Sequence, residues 1–128
     1  MNRLMVYLDT IRDHLDLHQL PPVASLRVGV RSNPVSVQLD VDGLAEVSRA
    51  LLVWAGSLDE VTASIWRAPE SGSVHLDVHG RTPCGVPVEV YGCVEFDADV
   101  FPDLPAQVRQ DLPLFVLRQW DTTGEVAA

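Results

Sequence analysis

Across residues 59–96 apolar side chains alternate with polar ones in three successive runs: Val61/Ala63/Ile65, Val74/Leu76/Val78 and Val86/Val88/Val90. The third run keeps its phase past Gly92 into Val94 and Phe96. A period of two places successive side chains on opposite faces of a strand, so each run has one buried and one wet face. The pattern predicts a three-stranded antiparallel meander over Glu60–Arg67, Ser73–Gly80 and Val86–Phe96. Its turns fall at Ala68-Pro69-Glu70-Ser71, with Ser71-Gly72-Ser73 as the turn end, and at Thr82-Pro83-Cys84-Gly85. Pro87 cannot donate to a ladder, so its end of the third strand is expected at an edge.

Upstream, Leu4, Leu8, Ile11 and Leu15 recur at helical spacing over residues 2–17, with Asp9, Arg12, Asp13 and Asp16 on the other side. Pro21-Pro22 ends that helix. Leu26/Val28/Val30 and Val35/Val37/Leu39/Val41 then flank Arg31-Ser32-Asn33-Pro34. This reads as a hairpin with Val30 facing Val35, Val28 facing Val37 and Arg27 facing Gln38. Asp42 is the expected cap of a second helix to about Ala55, with Leu44, Val47, Leu51 and Trp54 inward and Gly56 as its left-handed end. Leu104–Asp111 reads as a short helix capped by Asp103, with Pro105 in its first turn. Leu114–Trp120 is too short for periodicity to choose between strand and helix.

The expected order is therefore α-β-β-α-β-β-β-α, closing on a strand or a helix. It implies an α+β two-layer sandwich, a mainly antiparallel sheet of five or six strands packed against two or three helices. Residues 1–120 are expected to form the single domain and residues 121–128 a loose tail.

Composition narrows the function classes. The chain of 128 residues carries a net charge of −9, and all nine cations are arginines. Residues 59–103 hold nine acids against two arginines, a poor surface for phosphates, so no nucleic-acid partner is expected. The absence of lysine suggests a GC-rich bacterial or phage genome. No apolar run approaches the roughly 18 residues of a membrane span, and Asp9, Arg12 and Asp13 interrupt any secretory core. A cytoplasmic protein is expected, with no membrane partner. Cys84 and Cys93 are separated by about 30 Å of extended chain and form neither a disulfide nor a zinc signature.

Chemistry-bearing residues gather in His75-Leu76-Asp77-Val78-His79. On a strand His75, Asp77 and His79 share one face at steps of about 6.7 Å, so neighbours in the set could share a metal, but one ion could not take all three. Pairing Ile65 with Val74 would set Glu60 against His79, Thr62 against Asp77 and Ser64 against His75, with Glu89 and Tyr91 on the next strand. His75, Asp77, His79 and Glu89 are thus the candidate acid–base set, and His75, Asp77 and His79 the candidate metal ligands. Solvated sheet faces collect the same residue types without function, and no cofactor or dedicated metal is expected. His14 and His18, four apart on the first helix, lack a third ligand and read as surface. Trp66 and Tyr91 fall on the wet side of their strands. Either they mark contact with another chain, or Leu114–Trp120 folds over them.

No nucleophile elbow, phosphate loop or basic footprint occurs. The function favoured is a small non-enzymatic protein–protein interaction module, a homodimer joined through an edge strand or the Trp66/Tyr91 face. The alternatives are a metal-dependent or acid–base enzyme on the outer face of the meander, and an acidic decoy of a nucleic-acid-binding protein.

Overall fold

In the computed structural model, which describes residues 2–69, 72–102 and 104–127, helices cover one face of a six-stranded sheet. Helix α1 (Arg3–Leu17) precedes the hairpin of β1 (Val23–Val28) and β2 (Val35–Leu39). Helix α2 (Leu44–Gly56) leads to β3 (Asp59–Arg67), β4 (Ser73–Arg81) and β5 (Pro87–Glu95). A short β6 (Gln110–Asp111) and helix α3 (Leu114–Ala127) follow. The lateral order is β1-β2-β5-β4-β3-β6. The pairings are antiparallel except that of β2 with β5, which is parallel. The expected α+β two-layer sandwich, with its meander of β3, β4 and β5, is the observed architecture.

The apolar phase of the meander forms the floor of the core. Val74, Leu76, Val78 and Val90 are fully buried, as are Val35 and Val37 of β2. Over them α2 buries Val47, Leu51 and Trp54, and α3 contributes Leu117. Gly92 lets α2 approach the sheet: a Cβ there would meet Val47 Cγ1 at 2.8 Å. On α1 the buried side is centred on Ile11 and His14, whereas Leu8 is 37% exposed. His14 stacks on Trp54 and shares a 2.9 Å hydrogen bond with Ser57 Oγ, so it is a packed core residue rather than the surface residue expected.

Both hairpin registers differ from expectation by two residues. In the first, Val28 pairs with Val35 and Leu26 with Val37, so Arg27 faces Ser36 rather than Gln38. Val30 lies in the loop, half exposed. In the second, Ile65 pairs with Leu76, which sets Thr62 against His79, Ser64 against Asp77 and Trp66 against His75. A shift of two keeps every side chain on its own face, so the hydrophobic pattern is blind to it. A bulge between Asp59 and Thr62, with Glu60 at φ 54°, absorbs the slack at the start of β3. The turn residues Glu70 and Ser71 lie outside the described residues.

The expected edge at Pro87 is not one, since β5 lies between β4 and β2. Pro87 is tolerated as the first residue of its strand, before the ladder with β2 begins at Val88. Helix α2 starts from Gly43 (φ 87°) without a side-chain cap, so Asp42 does not cap it. Gly56 is its last helical residue, and Ser57 at the C-cap keeps a right-handed conformation.

The short helix expected over 104–111 is replaced by extended chain along β3. The open edge of β3 offers backbone partners that a helix of about two turns would leave unpaired. Gln107 N donates to Arg67 O (2.9 Å), and Leu112 N donates to Ala63 O (2.9 Å). Arg67 Nη1 reaches Leu104 O, and Gln107 adopts φ 66°, incompatible with a helix interior. The proposed cap, Asp103, lies outside the described residues. Leu114–Trp120 is helical, and α3 runs past Trp120 as far as Ala127, with Asp121 paired to Arg49 at 2.8 Å. Among the described residues no helix is long and apolar enough to cross a membrane.

Candidate functional site

The sheet face away from the helices carries the polar phase of every long strand. Strand register sorts these residues into rows. One runs Arg27–Ser36–Glu89–His79–Thr62, the next Ser25–Gln38–Tyr91–Asp77–Ser64–Asp111, and the third Cys93–His75–Trp66. Because α3 packs on α2, Leu114–Trp120 does not fold over Trp66 and Tyr91. Both remain half-buried on this face, with the Trp66 ring 5.0 Å from that of His75.

The middle of the face is built around Asp77, which is only 2% exposed. Its carboxylate accepts a hydrogen bond from Ser64 Oγ, directly across on β3. Arg109, just ahead of β6, donates from Nη1 to Asp77 Oδ2 (2.9 Å) and to Ser64 Oγ (3.0 Å). His79 Nε2 lies 3.2 Å from Asp77 Oδ1. Glu89 is the cross-strand partner of His79, and ligand atoms of Asp77, His79 and Glu89 all fall within 4.8 Å of one another.

Burial opposes ionisation of Asp77, but the hydrogen bonds from His79 and Ser64, with the Arg109 charge, overcome it and hold the carboxyl below its ordinary value. The hydrogen bond to Asp77 raises His79 above the usual imidazole value against the cost of burial, and the charges of Asp77 and Glu89 add to the rise. The result is an ionised carboxylate that orients an imidazole and favours its protonated form, with a second carboxylate in reach. Such a set can hold a cation or pass a proton.

Of the expected set, the fold joins Asp77, His79 and Glu89 and leaves His75 apart. His75 turns instead to Trp66 and to Cys93, whose Sγ lies 3.4 Å from its Nδ1. Burial pushes the Cys93 thiol up, whereas the hydrogen bond with Thr82 lowers Cys84; both cysteines are free. Arg109 went unnoticed in the sequence. Its one signal there is that it is the single cation between Arg81 and Arg118. The cluster lies on an open face; a cavity of about 820 Å³ lies elsewhere, lined by Gly43, Leu44, Phe96 and Phe101 among others. Compared with known proteins, the chain matches no family model, no curated protein and no solved structure.

Proposed function

We propose that this chain is a non-enzymatic interaction module that acts as a two-fold homodimer joined along β1. The observation that carries the reading is the inequality of the two sheet edges. The β3 edge is occupied by β6 and the extended chain before it, through Arg67, Ala63 and a bridge from Arg67 to Ala106. The β1 edge ends the sheet with no further strand beyond it among the described residues. Ser25–Val28 pairs regularly with β2, carries no proline, and has Arg27 as its only charge. Bare strands of this kind recruit another strand.

One bare edge against one covered edge favours a two-fold arrangement. Head-to-tail growth needs both edges free, so a second copy adds β1 to β1, antiparallel, about a two-fold axis. Apolar surface lies beside the seam. Met5, Leu8 and Leu26 are all exposed, and with Ile11 and Leu15 they line a groove of about 410 Å³ between α1 and β1. Pairing two copies would cover it. Light scattering on the full chain at micromolar concentration tests this. A particle of twice 14.1 kDa supports the reading, and a monodisperse one of 14.1 kDa overturns it.

A further inference from the structure

We infer that Asp77, His79 and Glu89 form a binding site for a divalent first-row metal ion of the zinc class, with Arg109 and Ser64 as positioning residues and a solvent-facing position left open. The argument begins with strand geometry. Asp77 and His79 are two apart on β4 and therefore share the outer face, and the antiparallel register puts Glu89 directly opposite His79. The three donors come from two adjacent inner strands of the sheet, so their backbone positions are set by the ladder rather than by a loop.

The distances suit a metal. Bonds of about 2.0–2.1 Å to nitrogen and oxygen, ending on atoms 3.2 Å apart, enclose an angle of about 100°, near tetrahedral. The Nε2–Oδ1 edge of such a site is thus already in place. The ion would occupy the position of the Nε2 proton, which leaves to solvent while the imidazole keeps its proton on Nδ1. Glu89 is half-buried on the open face, and a small rotation of its flexible side chain brings the third donor from within 4.8 Å into the coordination sphere. Two carboxylates and one imidazole suit zinc, manganese or ferrous iron better than calcium or a soft cuprous ion.

The surroundings match what metal ligands require. A ligating carboxylate is itself held by hydrogen bonds, and here Ser64 on β3 and Arg109 beyond it hold Asp77 from the side opposite β5, the strand that carries Glu89. Arg109 takes Oδ2, while Oδ1, which also accepts from Ser64 Oγ, faces the imidazole. Its charge lowers the affinity, but the site keeps two carboxylates for a doubly charged ion. The cluster is not used by the β1 seam proposed above, so the two readings stand or fall separately.

The test is titration of the metal-free full chain with zinc chloride, followed by competition against a chromophoric chelator, near neutral pH. One equivalent bound saturably is expected, with loss of that binding in Glu89→Gln and in His79→Ala. Circular dichroism of each variant reports whether it is folded. Glu89→Gln changes one oxygen on the open face and keeps the inference testable if His79→Ala does not fold. Ser64→Ala should weaken binding by roughly 10–100-fold without removing it, as for other partners of metal ligands. Affinity should also fall as the pH is lowered and His79 takes up a proton. No saturable binding overturns the inference. So does binding that survives Glu89→Gln, or that disappears in His75→Ala or Cys93→Ser, which would assign the ion to the neighbouring His75–Cys93 pair.

Discussion

His79 Nε2 and Asp77 Oδ1 stand 3.2 Å apart on the same face of one strand. Neighbours at i and i+2 start about 6.7 Å apart at Cα, so the contact needs both side chains to lean together along β4. Asp77 is pinned on its other side, since Arg109 Nη1 bonds both its Oδ2 and the Ser64 hydroxyl that also donates to it. The imidazole therefore responds to a carboxylate that is buried, ionised and fixed.

That coupling gives stability a definite pH window. His79 is raised above 6.5 in the fold, so its contribution is complete below 6.5 and fades as pH climbs through the raised value. Asp77 is lowered below 3.8, so its contribution holds above 3.8 and is lost as pH drops through the lowered value. The pair stabilises most between those ordinary values. In urea unfolding, the stability gap between wild type and His79→Ala should be wider at about pH 5.5 than at about pH 9. A gap that widens with pH would contradict the assignment.

The core beneath the site depends on Leu76, which is fully buried on the helix side of β4. Leu76→Ala should cost about 2–5 kcal/mol in chemical denaturation, as other large-to-small core changes do. A cost under about 0.5 kcal/mol would remove Leu76 from the core.

Two glycines with the same added methyl should behave differently. A Cβ at Gly80 would lie 2.8 Å from Leu58 Cβ and 3.1 Å from Asp59 O, atoms that cannot move without the chain entering β3. Nothing lies within 4 Å of a Cβ at Gly29. Gly80→Ala is expected to destabilise by about 1–3 kcal/mol and Gly29→Ala to stay near wild type. Equal melting temperatures for the two variants would show that the β4–β3 junction is looser than described.

The physical reasons why some of this was legible in sequence are specific. Val74, Leu76 and Val78 sit in the core because period two assigns faces, and face assignment survives any even shift of register. Register itself was not legible, because Ile65 against Val74 and Ile65 against Leu76 satisfy the same pattern; the fold takes the second, with a bulge at Glu60 beside it. The candidate site suffered from the same blindness. His75 looked like a partner of Asp77 because it is near in sequence. His75 and His79 both lie one step of about 6.7 Å from Asp77, but His75 turns to its cross-strand neighbours Trp66 and Cys93, while His79 meets Asp77 and the expected Glu89. Arg109 was hidden by distance along the chain and by a segment whose Leu104, Val108 and Leu112 spacing imitates a helix.

The seam along β1 makes the last prediction. Leu26 is 40% exposed and belongs to the groove with Met5 and Leu8, on the helix side of the edge strand. Lysine on an edge strand is a device by which proteins prevent pairing, because its charge would be carried into a dry seam. Leu26→Lys should therefore leave the fold intact, since Leu26 is not part of the buried core, and shift the particle from twice 14.1 kDa to 14.1 kDa in light scattering. Trp66→Ala, on the outer face, and Thr62→Lys, on β3 next to the covered edge, should leave the dimer unchanged. If Trp66→Ala dissociates the dimer while Leu26→Lys does not, the copies meet through the outer sheet face instead. The β1 seam would then be wrong.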